Sequence, residues 1–199
     1  MEAGTSFSII NHTNFYLDKA LVNDGKGRNY GVDVTLERYL KDGYYWMVTG
    51  SLFDSQYMGG DGVWRDTRYN RKFVSNVLVG KEWMCGRQKQ HVFSANIGLL
   101  FQGGEYLEAI NAEASVEQQI PVFDQQRAYL EQLDSSLGMD VSVGYKINRK
   151  KVSHEFAVKV LNATATPDQY GYLYNTETKE VERNEMRITI PNISYKIHF

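Results

Sequence analysis

The sequence predicts an all-β fold of antiparallel strands, on three observations. Apolar and polar residues alternate over segments of about ten residues, which is the side-chain period of a strand. Helical periodicity is weak, and only the stretch 111–133 could carry a helical turn. The chain is also rich in aromatic residues, with 14 Tyr, 9 Phe and 3 Trp, and aromatic side chains favour strands.

Eight segments carry the strand pattern. The alternation is strongest in the second, fifth, sixth and last of them; in the sixth, for example, Val141 and Val143 alternate with Ser142 and Gly144. One side of this strand would therefore be apolar and the other polar. The eight predicted strands are 5–17, 28–40, 44–56, 71–84, 91–103, 136–148, 151–163 and 185–199.

The connections between these strands alternate between short and long. Short turns are predicted at 41–43, 86–90 and 149–150, and long connections at 18–27, 57–70, 104–135 and 164–184. Outer-membrane β-barrels combine short turns at one end with long loops at the other. We therefore expect an antiparallel up-and-down transmembrane β-barrel segment of about eight strands, part of a larger barrel.

The hairpin formed by the sixth and seventh strands allows a prediction of register. If Asn148 lies opposite Lys151, the apolar residues of the two strands face each other on one side. On the other side, Asp140 lies opposite Lys159, and opposed charges stabilise a cross-strand pair. We interpret this pair as facing a water-filled lumen, because a basic residue on the lipid face at mid-membrane costs about 2–4 kcal/mol.

The apolar side of the strands is expected to face lipid. Aromatic residues gather beside the short turns, among them Tyr44, Tyr45, Trp46, Trp83 and Tyr145, with the terminal Phe199 near the same end. Rings at strand ends form girdles at a membrane surface. The polar side is rich in charged residues, Ser, Asn and Gly, which could not fill a dry core without unsatisfied polar groups.

Composition and motifs argue against several functions. The formal net charge of -2 gives no strong field of one sign for nucleic acid. Cys85 is the only cysteine, and the four histidines are scattered without metal-binding spacing: His12, His91, His154 and His198. No catalytic constellation is recognisable, so the chain is expected to be non-enzymatic, with no cofactor and no metal.

The end of the chain resembles the last strand of bacterial outer-membrane barrels. Ile193, Tyr195, Ile197 and the terminal Phe199 alternate with polar residues. In those barrels a final Phe with apolar residues at alternating positions is read by the barrel-assembly machinery. The resemblance implies that these four residues form the assembly signal of this chain.

Upstream segments resemble TonB-dependent receptors, in the variant common in Bacteroidetes. The ordered segments that carry this resemblance are 28–37, 44–57, 60–70, 76–83, 103–105 and 160–162. Residues 1–199 would form the C-terminal part of such a receptor barrel, without its plug domain. Gly103-Gly104-Glu105-Tyr106 departs from the pattern, because a basic residue is expected after the two glycines.

The resemblance implies a place in the cell outer membrane and a role in TonB-dependent uptake. The N-terminus, 1–6, has neither the basic nor the apolar region of an export signal, so a preceding part is expected to be missing. The implied partners are outer-membrane lipid, the barrel-assembly machinery and, through the missing plug, the TonB complex. The substrate stays open between a ferric chelate, cobalamin, a glycan and a peptide.

The loop 57–70 is the predicted site of substrate contact. Its Trp64, Arg65, Arg68 and Tyr69 combine aromatic surface with positive charge, which suits an anionic chelate or a glycan. The same residues could instead hold loops together or meet lipopolysaccharide phosphates.

Two other interpretations remain open. A complete eight-stranded outer-membrane protein, acting as an adhesin or a structural barrel, would match the strand count. A soluble barrel that binds an apolar ligand inside would point its apolar side inward. If the chain is a fragment, its unpaired strand edges should produce an open curved sheet, a strained small barrel or aggregation.

Overall fold

The computed structural model describes residues 1–12 and 16–199. Among these residues strands make up 62% and helix 5%, and the sheets are antiparallel, which confirms the all-β prediction. The strands are β1 Lys26–Lys41, β2 Tyr44–Met58, β3 Trp64–Asp66, β4 Phe73–Cys85, β5 His91–Gln102, β6 Tyr106–Ile110, β7 Phe123–Gln132, β8 Ser136–Asn148, β9 Ser153–Leu161, β10 Asp168–Asn175, β11 Glu180–Met186 and β12 Ile190–His198. One helix, α1 Ala112–Gln118, lies in the stretch predicted to carry a helical turn.

Seven long strands form one antiparallel sheet in the order β1-β2-β4-β5-β8-β9-β12, and the short β3 pairs with the end of β2. Two separate hairpins are formed by β6 with β7 and by β10 with β11. Within the described residues β1 and β12 have no pairing on their outer sides, so the sheet is open.

Seven of the eight predicted strands correspond to the long strands, but the first is wrong. The described part of 5–17 holds only a single 3₁₀ turn, Ile9–Asn11; residues 13–15 of that prediction lie outside the described residues. The polar groups of this segment do not form a backbone ladder with a neighbouring strand: the Ser6 carbonyl accepts from the side-chain hydroxyl of Tyr57, at the end of β2, at 2.9 Å, and the Asn11 side chain accepts from the Arg68 amide, in a loop, at 2.8 Å.

The short turns are all at one end of the main sheet. Lys41 pairs with Tyr44, so the first turn contains only Asp42 and Gly43 and not the three predicted residues. Both have positive φ, 56° and 78°, as a two-residue hairpin turn requires. The second turn spans 86–90 as predicted.

The third turn is longer than predicted, which changes the register of β8 and β9. Asn148 pairs with Ser153 instead of Lys151, because the turn spans 149–152 and is closed by a 3.0 Å hydrogen bond from the Arg149 amide to the Val152 carbonyl. The pairing is therefore displaced by two residues along β9. A displacement of two keeps every side chain on its predicted side.

The long connections contain structure of their own, at the opposite end of the sheet. We call the described residues 1–12, 57–72, 104–135 and 164–189 the loop cluster. It contains β3, both separate hairpins and α1, none of which was predicted as a strand or a full helix. The buried apolar side chains lie in this cluster or at the end of β2 that adjoins it: Tyr57 on β2, and Leu107, Ala109, Ala128 and Tyr129 on the β6–β7 hairpin.

The N-terminal segment is docked into this cluster. The Gly4 amide donates to the Gly60 carbonyl at 3.2 Å, and the Asp61 amide donates to the Thr5 carbonyl at 3.1 Å. A Cβ atom at Gly60 would collide with the backbone at Glu2. Gly59 and Gly60, in the predicted long connection 57–70, thus allow two backbone segments to approach closely.

Candidate membrane interface

One side of the main sheet is apolar from β1 to β12. The register places the apolar residues of neighbouring strands side by side in rows. Ile97, for example, lies between Val79 and Val141, and Val141 pairs with Val160. We call this side the apolar face. It arises because each strand places its apolar positions in register with those of the next.

The apolar face is exposed along its whole width. The large apolar side chains of this face that are exposed include Val32, Val34, Leu36, Trp46, Leu52, Val79, Ile97, Phe101, Leu137, Val143, Phe156, Val158, Ile193 and Ile197. Val143, in a central strand, is 46% exposed. Soluble monomers rarely expose an apolar patch beyond about 300–600 Å², and larger patches mark contact with protein or membrane.

An unbroken aromatic row crosses the apolar face near the short turns. Directly paired residues of five neighbouring strands form it: Trp83, Phe93, Tyr145, Phe156 and Tyr195. The ring centroids are 5.4 Å apart for Trp83 and Phe93 and 4.9 Å apart for Phe156 and Tyr195. We call this set the aromatic row. Rings that combine an apolar body with a polar tip suit the boundary between hydrocarbon and water.

A second aromatic contact lies at the other end of the same face. Phe73 and Phe101 have ring centroids 4.9 Å apart. Phe93 and Phe101 are eight residues apart on β5, which corresponds to about 26 Å along a strand. With the tilt of about 35–45° that strands have in outer-membrane barrels, this corresponds to about 18–21 Å of height, somewhat less than the apolar band of about 25 Å.

The opposite side, the polar face, carries the charged residues and the cavities. Lys159 Nζ lies 3.2 Å from Asp140 Oδ2, although the two residues are diagonal neighbours and not the direct pair that was predicted. Cavities of about 650, 390 and 220 Å³ lie along this face. Their lining includes Thr49, Asn76, Asn96, Gln102, Asp140, Ser142, Lys146, Glu155 and Lys159.

Tyr45 belongs to the polar face, so its expected place among the girdle aromatics is wrong. It pairs with Gly80, and a Cβ atom at Gly80 would collide with its ring. The Tyr45 hydroxyl donates to the Asn96 side chain. Because adjacent strand residues point to opposite sides, only Tyr44 and Trp46 of the run 44–46 reach the apolar face.

The four predicted substrate-contact residues lie in the loop cluster, but they are not equally accessible. Trp64 and Tyr69 are exposed, and the Trp64 ring lies 4.4 Å from the Arg28 guanidinium carbon. Arg68 Nε donates to Glu105 Oε2 at 2.9 Å. Glu105 stands where the resemblance predicts a basic residue, and in this chain its carboxylate accepts the hydrogen bond from Arg68.

Arg65 is only 6% exposed and is bonded within its own loop. Its two terminal nitrogens donate to the two oxygens of Asp61, at 3.0 and 2.7 Å. This hydrogen bonding to the guanidinium holds the pKa of the Asp61 carboxyl below its usual range. Arg65 therefore fixes the loop 57–70 and does not offer its charge to a substrate.

The terminal assembly residues divide between β12 and its end. Ile193, Tyr195 and Ile197 lie on the apolar face, paired with Val158, Phe156 and His154. Phe199 follows the last residue of β12 and is almost fully exposed. Ile193, Tyr195 and Ile197, which suggested an assembly signal, therefore also form the last row of the apolar face, on the edge strand β12.

The described part of the chain contains neither a metal-binding cluster nor a long apolar helix. Among residues 1–12 and 16–199, the structure shows no group of three or more His, Cys, Asp or Glu side chains placed to hold a metal ion. No helix in the described part of the chain is long and apolar enough to cross a bilayer. No family model, no curated protein and no solved structure matches the chain.

Proposed function

We propose that this chain forms part of the wall of an outer-membrane β-barrel transporter of the TonB-dependent receptor type. The observation that carries the proposal is the apolar face, which runs unbroken across seven strands and has aromatic residues at both of its ends. Hydrocarbon would cover this face, whereas the polar face would line a solvated lumen.

The distribution of cavities supports this orientation over a soluble ligand-binding barrel. A soluble barrel would enclose its apolar side and bind its ligand there. In this chain the cavities lie along the polar face, and apolar residues such as Ile97 and Val143 are exposed. The largest of these cavities is also lined by apolar side chains such as Met47, Leu78 and Leu100, whereas the lining of the second, with Glu82, Lys146 and Glu155, suits a water-filled lumen.

The strand count does not separate a part of a larger barrel from a complete eight-stranded one. The main sheet of the described residues has seven long strands, and β1 and β12 run in the same direction. An all-antiparallel barrel closes only with an even number of strands, so closure would need one further strand in the eight-stranded case and a larger odd number in the larger barrel; the resemblance favours the larger barrel. By resemblance the plug would supply contact with the TonB complex, and the substrate would be a ferric chelate, cobalamin, a glycan or a peptide.

Insertion into neutral lipid tests the membrane location. The full chain, diluted from urea into phosphatidylcholine vesicles, should float with the vesicles in a density gradient and should keep its long strands resistant to trypsin. The polar loop cluster should be cleaved first. A chain that stays soluble and monomeric in buffer, and that does not float, would contradict the proposal.

A further inference from the structure

Charged side chains are distributed unequally between the two ends of the main sheet. We define the short-turn rim as residues 37–46, 81–91, 145–155 and 195–199, which hold the three short turns and the strand ends beside them. This rim carries ten basic and four acidic side chains, whereas the rest of the chain carries 12 basic and 20 acidic ones. The small net charge of the whole chain therefore conceals a basic end and an acidic end.

The basic side chains of the turns are directed to solvent. Those that are exposed and take part in no ion pair within the described chain are Arg87, Lys89, Arg149, Lys150, Lys151 and Lys196. The ion pairs of the rim are the long ones of Arg38 with Asp42, at 3.8 Å, and of His198 with Glu155, at 3.7 Å. Most of the positive charge of the rim is thus not neutralised by the protein.

One cation of the rim lies on the apolar face itself. Lys81 pairs with Tyr44, and its Nζ lies 3.8 Å from the centroid of the Tyr44 ring and 5.2 Å from that of Trp83. A lysine that lays its stem along apolar surface and holds its ammonium among rings is typical of the boundary between hydrocarbon and headgroups. Lys81 therefore brings positive charge to the level of the aromatic row.

We propose that the short-turn rim binds the headgroups of anionic phospholipids. The apolar face would take the acyl chains, the aromatic row would lie at the boundary, and the cations of the turns would meet the phosphates. The apolar surface that adjoins these cations favours a lipid over a dissolved anion. This inference rests on the proposed membrane location and adds to it the charge of the lipid and the end of the sheet that meets it.

The test compares lipid compositions and charge-matched variants of the full chain. Binding is measured by flotation with vesicles of phosphatidylcholine alone and of phosphatidylcholine mixed with phosphatidylglycerol. The rim variant carries Arg149→Gln, Lys150→Gln and Lys151→Gln. The control variant carries Lys179→Gln, Arg183→Gln and Arg187→Gln at the opposite end, and so loses the same three positive charges.

The wild-type chain should bind the anionic vesicles at least tenfold more tightly than the neutral ones, and added salt should reduce this preference. The rim variant should lose most of the preference while still binding neutral vesicles, and the control variant should keep it. Equal binding to both vesicles, or a preference that survives in the rim variant, would overturn the inference and leave the membrane location standing. Failure to bind either vesicle would overturn both.

Discussion

Single residues decide which side of each strand meets which environment. Along β8, Val143 belongs to the apolar face and its neighbour Ser142 lines cavities on the polar face. Because side chains alternate along a strand, one of two adjacent residues would face lipid and the other would face water. This contrast makes adjacent pairs the best matched probes of the account.

Val143→Arg should weaken membrane insertion of the chain by about 2–4 kcal/mol, because it places a charge on the lipid side at mid-strand. Ser142→Arg is the matched control; it should cost about 1 kcal/mol, for the lost hydrogen bond from the Asn96 amide at 3.1 Å. Urea titration of the chain folded into vesicles measures both. Equal costs for the two variants would contradict the assignment of the faces.

Arg65→Met should destabilise the loop 57–70 by about 2 kcal/mol, because it leaves the Asp61 carboxylate without its bidentate partner. Removal of one partner of a fully buried pair costs about 3–5 kcal/mol, and the smaller figure reflects a carboxylate side chain that is one quarter exposed. Trypsin cleavage within the loop should become faster. Arg68→Met, in which Glu105 still accepts from Arg71 at 2.6 Å, is the control and should have a smaller effect.

Glu108 should make the loop cluster sensitive to pH. Burial raises the pKa of this β6 carboxyl, and the nearby Arg68 only partly opposes the shift. Its folded pKa thus lies above its unfolded one, so stability is greatest below the usual carboxyl range and falls as the pH rises through the raised pKa.

Glu108→Gln should therefore stabilise the loop cluster at pH 7 and have little effect near pH 4. Hydrogen exchange of the amides of β6 and β7 reports this stability. The exposed Glu117→Gln on α1 is the control and should change neither value. A Glu108→Gln variant that is less protected than the wild type at pH 7 would contradict the account.

At the scale of elements, the short turns set the register of the sheet. Gly43 has a φ of 78°, and a Cβ atom there would come within 2.5 Å of the Glu82 carbonyl oxygen. Gly43→Ala should therefore destabilise the β1–β2 hairpin by about 1–2 kcal/mol or more, whereas Asp42→Asn should be tolerated because Asn adopts positive φ readily. Hydrogen exchange along β1 measures the effect, and full protection of β1 in Gly43→Ala would contradict it.

Element-scale features also show what the sequence could predict. The strands of the main sheet were recognisable because alternation is local, and their faces followed from it. The turn 149–152 was misjudged because Asn148-Arg149-Lys150-Lys151 contains no Gly to fix a two-residue turn, so spacing alone could not distinguish two residues from four. The prediction of a strand at 5–17 failed because the polar groups of this segment bond to residues that are distant in sequence, such as Tyr57 and Arg68.

The substrate-contact residues illustrate a second limit. Trp64 and Arg65 are neighbours in the sequence with similar promise, yet one is exposed and the other is bonded to Asp61. The Asp61 partner of Arg65 is only four residues away, but the burial of Arg65 depends on the packing of the loop cluster, which brings together segments more than fifty residues apart, as the bond between Asn11 and the Arg68 amide shows. Local patterns do not encode such contacts.

At the scale of the whole molecule, the chain combines a sheet without a core and a loop cluster with one. The charge segregation was visible in the sequence, in the run Arg149-Lys150-Lys151 and in the acid-rich stretch 104–135. The sequence alone does not show that the basic segments lie together; they do so because the topology places all the short turns at one end of the sheet.

Site-directed spin labelling along β8 tests the central claim most directly. In a Cys85→Ser background, single cysteines at 137–147 carry the label in the chain inserted into vesicles. The odd positions, which lie on the apolar face, should be relaxed by dissolved oxygen, and the even positions by a water-soluble nickel chelate. A reversed pattern, or equal access of the chelate to both sets, would contradict a sheet whose apolar face meets lipid.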